Sequence, residues 1–404
     1  MQVVVIGYVW PEPNSSAAGQ NMLNLLEAFV NAGWNTIFAS AAAPSKHAID
    51  LNKYGVRPTT IELNNSSFDA FIQRCNPDIV IFDRFMTEEQ FSWRVKEHAP
   101  DALRVLNTED LHALRDARQQ QYKQNKDDID LHTALFYREI ASILRSDLTL
   151  LVSSYEQQFI TTEFPVNRKN TWHFPLLPAL SSGNLTPSYT ERRDFIFIGN
   201  FRHAPNWDAV LRLKQLWPRI RRRVPNTNML IYGAYPPKKA TQLHNEKDGF
   251  LVKGWAEDAQ AVLRNARVCA APLNFGAGVK GKFLDAFQAQ TPSITTTVGI
   301  EGITSPEHWP GIVTDNDEAF VDAAEYLYNN AEPWHLAQKK IAALEIDADA
   351  KQHHQAALIQ RLTDAKLNLT QLRQDNFVGA MLHHHTLAST RYMAQWIEAK
   401  NKYN

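Results

Sequence analysis

Short runs rich in β-branched and aromatic residues alternate with amphipathic, helix-like segments along this chain, and this alternation constrains its fold more than any other feature. The pattern is typical of a parallel sheet with helices on both faces. In the first half it predicts strands at residues 3–7, 36–40, 78–82, 103–107 and 148–152. In the second half it predicts strands at residues 195–199, 229–233, 249–252, 268–272, 293–297 and 311–314.

The length of the chain supports two such sheets, because 404 residues exceed the size at which one hydrophobic core keeps growing. A stretch rich in Pro, Ser, Gly and Asn at 176–188 separates the two sets of strands and is the expected linker. We therefore predict an α/β protein with two doubly wound domains, at 1–178 and 189–375. A helical tail is expected from about Asp349, and its last part, 376–404, is expected to form a separate C-terminal helix.

Composition excludes several classes of protein. A formal net charge of -1 argues against a dedicated nucleic-acid binder, which needs a basic excess to contact phosphates. Cys75 and Cys269 cannot form a disulfide framework and fit a reducing compartment. The N-terminal run MQVVVIGYVWPEP lacks a basic segment and a cleavage site, and no apolar run approaches the roughly twenty residues of a membrane helix. We expect a cytoplasmic protein, at most peripheral at the inner face of a membrane.

The segment at 271–302 joins glycine-rich backbone, a cation and a carboxylate in one stretch. Its glycines precede a predicted helix start, where free N–H groups and the helix dipole favour an anion. Lys282 and Asp285 are three residues apart and share one face of that helix. An ammonium group beside an anion site, with a carboxylate one turn further on, suits a diphosphate followed by a ribose. The segment therefore predicts half of a nucleotide-sugar site, and such a site is expected in the cleft between the two domains.

Two other kinds of site are less consistent with the sequence. A dinucleotide enzyme needs GxGxxG after a strand, whereas the first strand is followed by a single later glycine and the second domain opens with FIGNFR. The DxD pattern of some metal-dependent transferases occurs at 128–130, 315–317 and 347–349. Three copies in unrelated contexts show that this pattern has little specificity. The histidine run at 383–385 lacks a carboxylate or cysteine at ligand spacing and is interpreted as a surface run. No metal site is predicted.

Several segments together carry a family resemblance. They are FIGNF at 197–201 with Pro205 and Asn206, KGW at 253–255, APL at 271–273, GAG at 276–278, KGKFLDA at 280–286, TVGIEG at 297–302, NTEDLH at 107–112 with Arg115, and VSSYE at 152–156. They resemble the GT-B glycosyltransferases of family 4, retaining enzymes that move a sugar from a nucleotide donor to an acceptor. The resemblance covers most of the chain. It implies two Rossmann-like domains that face each other across a cleft, acceptor side first, with a C-terminal helix that returns to the first domain.

On the donor side, the resemblance implies that Lys282 neutralises the diphosphate and acts in catalysis, with Lys280 as the alternative cation. A cation is needed because the leaving nucleoside diphosphate gains negative charge as the glycosidic bond breaks. The second of two family glutamates aligns with Asp285, which can accept hydrogen bonds from the ribose hydroxyls. The first aligns with Ala277, which offers only backbone to the donor sugar. The remaining residues of the expected donor loop are Gly276, Gly278 and Val279.

At the start of the second domain, a family arginine that contacts the diphosphate aligns with Asn200, next to Gly199. Arg202 lies two residues later and is the candidate to replace that arginine. Trp255 is the expected platform for the base, and the alternative is that it packs under the loop.

In the first domain, His112 matches a family histidine that faces the donor sugar and is the second catalytic candidate. Acidic and basic residues crowd the same predicted strand-to-helix turn, which favours a functional role. The alternative is a histidine that only caps or packs. Gly19 belongs to a loop that resembles the family's glycine-containing loop over the diphosphate, and an ordinary helix entry is the alternative.

These observations predict transfer of a sugar from a UDP-, GDP- or dTDP-sugar to an acceptor in the cleft, with retention, without metal and with no tightly bound cofactor. The acceptor is a glycan, a lipid-linked oligosaccharide or a protein. One alternative is a GT-B-like sugar-nucleotide epimerase. Another is a non-catalytic nucleotide-sugar binder, suggested by the missing glutamate at Ala277. The aromatic and basic run TRYMAQWIEAKNKY near the C terminus leaves open a membrane-surface contact, a homodimer contact or the returning helix.

Overall fold

The computed structural model describes residues 1–178, 186–344 and 346–384, together with positions 392, 396 and 400. It contains two parallel sheets, one in each predicted domain. The strands of the first are β1 (Gln2–Gly7), β2 (Asn35–Ser40), β3 (Arg57–Thr60), β4 (Ile79–Asp83), β5 (Leu103–Asn107), β6 (Leu148–Leu151) and β7 (Thr171–His173). Those of the second are β8 (Arg193–Ile198), β9 (Met229–Tyr232), β10 (Phe250–Gly254), β11 (Ala266–Ala271), β12 (Ser293–Thr295) and β13 (Gly311–Val313).

Helices cover both faces of each sheet. In the first domain they are α1 (Ala17–Asn31), α2 (Ser67–Cys75), α3 (Phe85–His98), α4 (His112–Gln124), α5 (Ala134–Arg145) and α6 (Ser154–Glu163). In the second they are α7 (Ala204–Arg223), α8 (Lys238–Thr241), α9 (Ala259–Asn265), α10 (Gly281–Gln288), α11 (Thr297–Ile300), α12 (Asp317–Asn329) and α13 (Ala331–Ala342). Three more follow: α14 (Ala348–Leu367), α15 (Leu369–Asp375) and α16 (Phe377–Leu382). None of the helices in the described residues is long and apolar enough to cross a membrane.

The central strands are buried on both faces, as their continuous apolar runs require. In β1, Val4 and Ile6 belong to the core cluster on one face of the first sheet, and Val3 and Val5 belong to the cluster on the other. Successive side chains of a strand point to opposite faces, so one short run supplies both layers. The second domain has a single large core around its own sheet.

Sheet order determines where a ligand can bind. The first sheet has the order β3-β2-β1-β4-β5-β6-β7, and the second has the order β10-β9-β8-β11-β12-β13. In each sheet the chain reverses its direction of progress next to the first strand, between β1 and β4 and between β8 and β11. Such switch points open a crevice beyond the carboxyl ends of the strands. The predicted donor loop follows β11 directly and therefore lies at the second of these crevices.

The helical tail returns to the first domain earlier than the predicted boundary at 375/376. Leu358 and Leu362 of α14 lie in the core cluster of the first domain together with Val3. Lys351 forms an ion pair with Glu27 of α1 at 2.7 Å. The return therefore begins at α14, because this helix buries its apolar residues against α1 rather than against the second domain.

The last described helix, α16, also contacts the first domain, where Asn376 donates to the Leu144 carbonyl at 2.8 Å. The interpretation of His383 as a surface residue is wrong: its side chain is buried, with Nε2 at 2.8 Å from an Arg104 guanidinium nitrogen. The neighbouring His384 is exposed. The remainder of the predicted C-terminal helix lies outside the described residues, apart from positions 392, 396 and 400.

Candidate functional site

A cavity of about 730 Å³ lies between the two domains and is lined by residues of both. This volume is in the range of small-molecule sites. The first domain contributes the ends of β1, β4 and β5 and the start of α4, and the second contributes the loop after β8 and the segment before α10. The predicted site residues that line it are Gly19, His112, Gly199, Asn200, Arg202, Trp255, Gly276, Ala277, Val279, Lys280, Lys282 and Asp285.

Gly278 is the predicted donor residue that does not line the cavity within the described chain. Its φ of 64° lies in the left-handed region, and a Cβ there would come within 2.8 Å of the Asp110 Cβ atom. Its N–H donates to Oε1 of the buried Glu156 at 2.7 Å. The turn at Gly278 therefore presses the donor loop against the first domain, and only glycine fits there.

Ala277 has a second environment besides the cavity. It is 7% exposed and belongs to the apolar cluster of the first domain, although its chain position is in the second. A glutamate at this position would bring a carboxylate against that apolar cluster. The alanine thus allows the loop to contact the first domain closely, and its side chain offers no polar group to the cavity.

Lys282 is one of two lysines of the predicted donor loop that line the cavity, the other being Lys280. The Nζ of Lys282 donates to Oδ1 of Asn206 at 2.6 Å and lies 5.1 Å from the centroid of the Phe197 ring. Burial lowers the pKa of Lys282 to about 8, because a desolvated ammonium loses its hydration. An anion beside Nζ would compensate this loss, which makes Lys282 a suitable candidate to bind a diphosphate.

The ammonium group of Lys280 is bound by neighbouring protein groups. Its Nζ donates to the Gly278 carbonyl at 2.9 Å and lies 3.6 Å from Oε2 of Glu301. Burial lowers the pKa of Lys280 to about 8. Since its ammonium group already has an acceptor and a carboxylate beside it, Lys282 is the better candidate for the diphosphate.

Asp285 lies on the same face of α10 as Lys282 and lines the same cavity. Burial raises the pKa of Asp285 to about 7. Gln260 of α9 donates to the Asp285 backbone carbonyl at 3.2 Å, and its own Oε1 is buried without a hydrogen-bond partner among the described residues. The Asp285 carboxylate and the Gln260 amide oxygen together can accept hydrogen bonds from a vicinal diol such as that of ribose. Gln260 carries no sequence signal, because its role depends on packing against α10.

His112 is the first residue of α4 and lines the cavity from the first domain. Its backbone N–H and that of Ala113 donate to the Glu139 carboxylate at 3.0 and 2.7 Å, which fixes the start of the helix. The imidazole lies 3.4 Å from Oδ1 of Asp110. Burial, and to a lesser extent the positive charge of Arg84, lower the pKa of His112 to about 4. A neutral imidazole is therefore held at the cavity wall, able to donate to or accept from a sugar hydroxyl.

The other predicted residues lie at the mouth of the cavity. Oδ1 of Asn200 accepts the Arg202 N–H at 2.9 Å, and the Arg202 guanidinium stacks on the Tyr235 ring at 3.7 Å from the centroid. Trp255 is 39% exposed and donates through its indole nitrogen to the Asn14 carbonyl at 3.3 Å. The His47 ring packs against this indole, with the ring centroids 4.6 Å apart, and the remainder of the Trp255 side chain is partly exposed. Asn200, which aligns with the family arginine, carries no charge, so Arg202 stays the candidate to replace that arginine.

Gly19 lies in the first turn of α1, where the hydroxyl of the cap residue Ser16 accepts its N–H at 3.1 Å. A Cβ at Gly19 would come within 2.4 Å of the Glu12 backbone. Close approach of the preceding loop therefore explains this glycine without a ligand, although the residue also lines the cavity.

Direct contacts hold the two domains together around the cavity. Arg118 of α4 donates to both carboxylate oxygens of Glu301 at 2.6 and 2.9 Å and to the Gly276 carbonyl at 2.8 Å. On the other side, the Tyr235 hydroxyl contacts both carboxylate oxygens of Glu12 at 2.9 and 3.0 Å. The structure is therefore a closed arrangement of the two domains, with the candidate donor site inside.

Comparison with known proteins agrees with this geometry. Residues 192–330 match the family model described as Glycosyl transferases group 1. No curated protein matches the chain.

Solved structures with the same architecture include a sucrose-phosphate synthase from Thermosynechococcus elongatus, 14% identical over 90% of this chain and 100% of that one, with a TM-score of 0.66. A point mutant of S. aureus TarM, solved with Fondaparinux, alpha-GlcNAc-glycerol and UDP, is 9% identical over 89% and 99% of the two chains, with a TM-score of 0.65. HepE from Anabaena, in complex with UDP and glucose, is 9% identical over 90% and 100%, with a TM-score of 0.65.

At these identities the structural likeness establishes the fold, which is GT-B. The fold and the matched domain together define a GT-B glycosyltransferase. More particularly, the match to the Glycosyl transferases group 1 model covers residues 192–330 of the second domain, which include the predicted donor loop.

Proposed function

We propose that this enzyme transfers a sugar from a nucleoside-diphosphate donor to an acceptor hydroxyl with retention, in the manner of family 4. The observation that carries the proposal is the pair Lys282 and Asp285, which lie on one face of α10 and line the interdomain cavity. Lys282 and the N–H groups at the start of α10 bind the diphosphate, while Asp285 and Gln260 bind the ribose. The sugar then extends toward His112 of the first domain.

The chemistry assigned to this arrangement is front-face displacement. The bond from the anomeric carbon to the phosphate oxygen breaks, a bond to the acceptor oxygen forms, and the acceptor proton moves to the leaving phosphate oxygen. Lys282 stabilises the charge that develops on the diphosphate. Closure of the domains excludes water and so favours transfer over hydrolysis.

We propose that charge at the diphosphate comes from Lys282 and the α10 N terminus rather than from a metal ion. Among the described residues, no group of three or more His, Cys, Asp and Glu side chains is arranged to hold a metal. UDP is the first donor nucleotide to test, since the HepE structure contains UDP and glucose. The acceptor classes remain a glycan, a lipid-linked oligosaccharide or a protein. A cytoplasmic location is supported by the free thiols of Cys75 and Cys269.

The donor site is tested by calorimetric titration of UDP, GDP and dTDP into the wild-type protein and into Lys282→Ala and Asp285→Ala. We expect each substitution to weaken binding of the preferred nucleotide by at least tenfold. Lys339→Ala, which removes an exposed lysine of the same domain, is the matched control and should bind as the wild type does. Wild-type affinity in both site variants would disprove the assignment.

Turnover without added acceptor separates the alternative functions. A transferase hydrolyses its donor slowly and releases two products, the free sugar and the nucleoside diphosphate. An epimerase returns a nucleotide sugar whose sugar is altered. A non-catalytic binder, the alternative raised by Ala277, binds nucleotide and turns over nothing.

A further inference from the structure

Three neighbouring strand ends of the first domain meet at the interdomain cavity. Tyr8 follows β1, Asp83 ends β4, and Glu109 lies two residues after β5, and all three residues line the cavity. The three strands are adjacent in the sheet, in the order β1-β4-β5, and this is the switch point of the first domain. The donor interactions assigned above use none of these side chains.

Asp83 has an unsatisfied oxygen at this wall. Its side chain is only 5% exposed, and Oδ2 accepts hydrogen bonds from the Tyr8 N–H at 3.1 Å and from the Arg84 guanidinium at 3.0 Å. Oδ1 is buried and has no hydrogen-bond partner among the described residues. Leaving a buried carboxylate oxygen unpaired is costly, so a ligand that donates a hydrogen bond at this point is favoured.

Glu109 is held beside Asp83 by strained backbone. Its φ is 62° and that of Arg84 is 73°, both in the left-handed region that is costly for residues other than glycine. Its carboxyl oxygens accept from Asn107 at 2.8 Å and from Asn21 at 3.2 Å. Burial, reinforced by the negative charge of Asp83, raises the pKa of Glu109 well above its usual range. Glu109 therefore retains a proton under conditions in which an exposed glutamate is ionised.

These two carboxyl groups complement a hydroxyl-bearing ligand rather than a cation. Asp83 offers an acceptor, Glu109 in its protonated form offers a donor, and a hydroxyl group both donates and accepts. The Arg84 guanidinium, bonded to Asp83, opposes a metal ion at the same place. Beside them, the Tyr8 ring is 48% exposed, and the Arg84 guanidinium lies over it at 5.3 Å from the centroid. The C–H face of a sugar ring can pack against the face of Tyr8 that Arg84 does not cover.

We propose that Asp83 and Glu109 form the acceptor subsite, in which a carbohydrate ring lies against Tyr8 and one of its hydroxyls donates to Oδ1 of Asp83. The proposal rests on the transferase function proposed above, because the acceptor so bound shares the cavity with the donor held by Lys282 and Asp285. Among the acceptor classes left open, it selects a glycan, free or lipid-linked.

The test uses the full chain saturated with UDP and four probes: the methyl α-glycosides of glucose, galactose, mannose and N-acetylglucosamine. Binding of each probe is titrated by ligand-observed NMR. We expect at least one of them to bind the wild-type protein. In Asp83→Asn the amide oxygen must keep the Tyr8 N–H and Arg84, so its NH2 group replaces Oδ1 and faces the ligand hydroxyl. The dissociation constant of that probe should then rise at least tenfold.

Two further variants sharpen the result. Glu109→Gln keeps an uncharged donor and should bind the probe within threefold of the wild type, whereas Glu109→Ala should weaken it at least tenfold. Asp101→Asn, an exposed change in the same domain, is the matched control. The affinity for UDP, measured in parallel, should stay within twofold in every variant, which shows that fold and donor site are intact.

Failure of this proposal is distinguishable from failure of the donor assignment. If UDP binds normally and none of the four glycosides binds, or if Asp83→Asn binds its probe as the wild type does, the acceptor subsite is not at Asp83. If Lys282→Ala binds UDP normally, the donor assignment fails independently of these measurements.

Discussion

The carboxylate of Glu156, in the first domain, accepts the backbone N–H of Gly278, in the second, at 2.7 Å. The same oxygen accepts the Leu111 N–H at 2.9 Å, one residue before α4 and His112. One buried oxygen therefore links the donor loop to the helix start that carries the candidate catalytic histidine.

We expect Glu156→Ala to weaken UDP binding about tenfold, because it releases the donor loop and leaves two N–H groups without their acceptor, at roughly 1–3 kcal/mol each where they stay buried. Calorimetry and thermal unfolding measure the two effects. Glu156→Gln is the control: its amide oxygen can accept both N–H groups, so UDP affinity should stay within threefold of the wild type. Equal affinities for the Ala and Gln variants would contradict this role of Glu156.

The affinity for UDP should pass through a maximum between pH 7 and 8. Burial raises the pKa of Asp285 to about 7, so below that pH the carboxyl is protonated and accepts ribose hydroxyls less well. Burial lowers the pKa of Lys282 to about 8, so above that pH the ammonium charge that binds the diphosphate is lost. Titrations from pH 5.5 to 9.5 measure both limbs.

Each limb of this profile has its own variant. Lys282→Arg stays charged throughout the range and should remove the alkaline limb. Asp285→Asn does not titrate and should remove the acid limb, with a lower maximum. An alkaline limb that survives Lys282→Arg would assign it to another group, of which Lys280 is the nearest in sequence.

The ion pair between Arg118 and Glu301 should stabilise the closed arrangement of the domains. Their side chains are 13% and 17% exposed, so the pair is shielded from solvent more than a surface pair is. In a double-mutant cycle with Arg118→Ala and Glu301→Ala, we expect a coupling free energy of about 1 kcal/mol or more in urea unfolding. Small-angle scattering should show a larger radius of gyration for Arg118→Ala without ligand. An unchanged radius would mean that closure does not depend on this pair.

Stability should fall with decreasing pH through His383. Burial and the nearby Arg104 charge lower the pKa of His383 to about 3, so the folded state keeps the imidazole neutral while the unfolded chain takes up a proton near pH 6.5. The contribution of His383 to the free energy of unfolding is fully present above pH 6.5. It decreases by about 1.4 kcal/mol per pH unit between pH 6.5 and about pH 3.

Urea unfolding of the wild type and of His383→Asn between pH 7.5 and 4.5 measures this dependence, and the wild-type slope should exceed that of the variant by about one proton. Asp147, which contacts the same Arg104, has a lowered pKa and contributes only at more acidic pH. Identical slopes would show that His383 is not buried as a neutral side chain.

The alternation of apolar runs predicted every central strand, because strands buried on both faces have continuous apolar sequences. It missed β3 and β7, which lie at the two edges of the first sheet. The sequence RPTT of β3 has no apolar run and includes a proline, and TWH of β7 spans three residues. Such edge strands form because a neighbouring strand is already in place, which local patterning does not report.

The site residues also divide into those that local sequence predicts and those that it does not. Lys282 and Asp285 were recognisable because both lie within one turn of a helix, and His112 because a local motif surrounds it. Glu156 and Gln260 were not, since their roles depend on contacts with Gly278 and Asp285, 122 and 25 residues away along the chain. The domain to which α14 belongs was missed for a related reason: an amphipathic pattern predicts a buried face but not the surface that covers it.

The return of α14 makes the second domain an insertion within the first. Leu358 and Leu362 complete a core whose other members begin at Val3, and the whole second domain lies between them in the chain. We therefore expect part of the apolar core of the first domain to stay uncovered during synthesis until the whole second domain has left the ribosome. The order of folding then follows from the connectivity, because the domain that is synthesised first completes its core only after α14 has been synthesised.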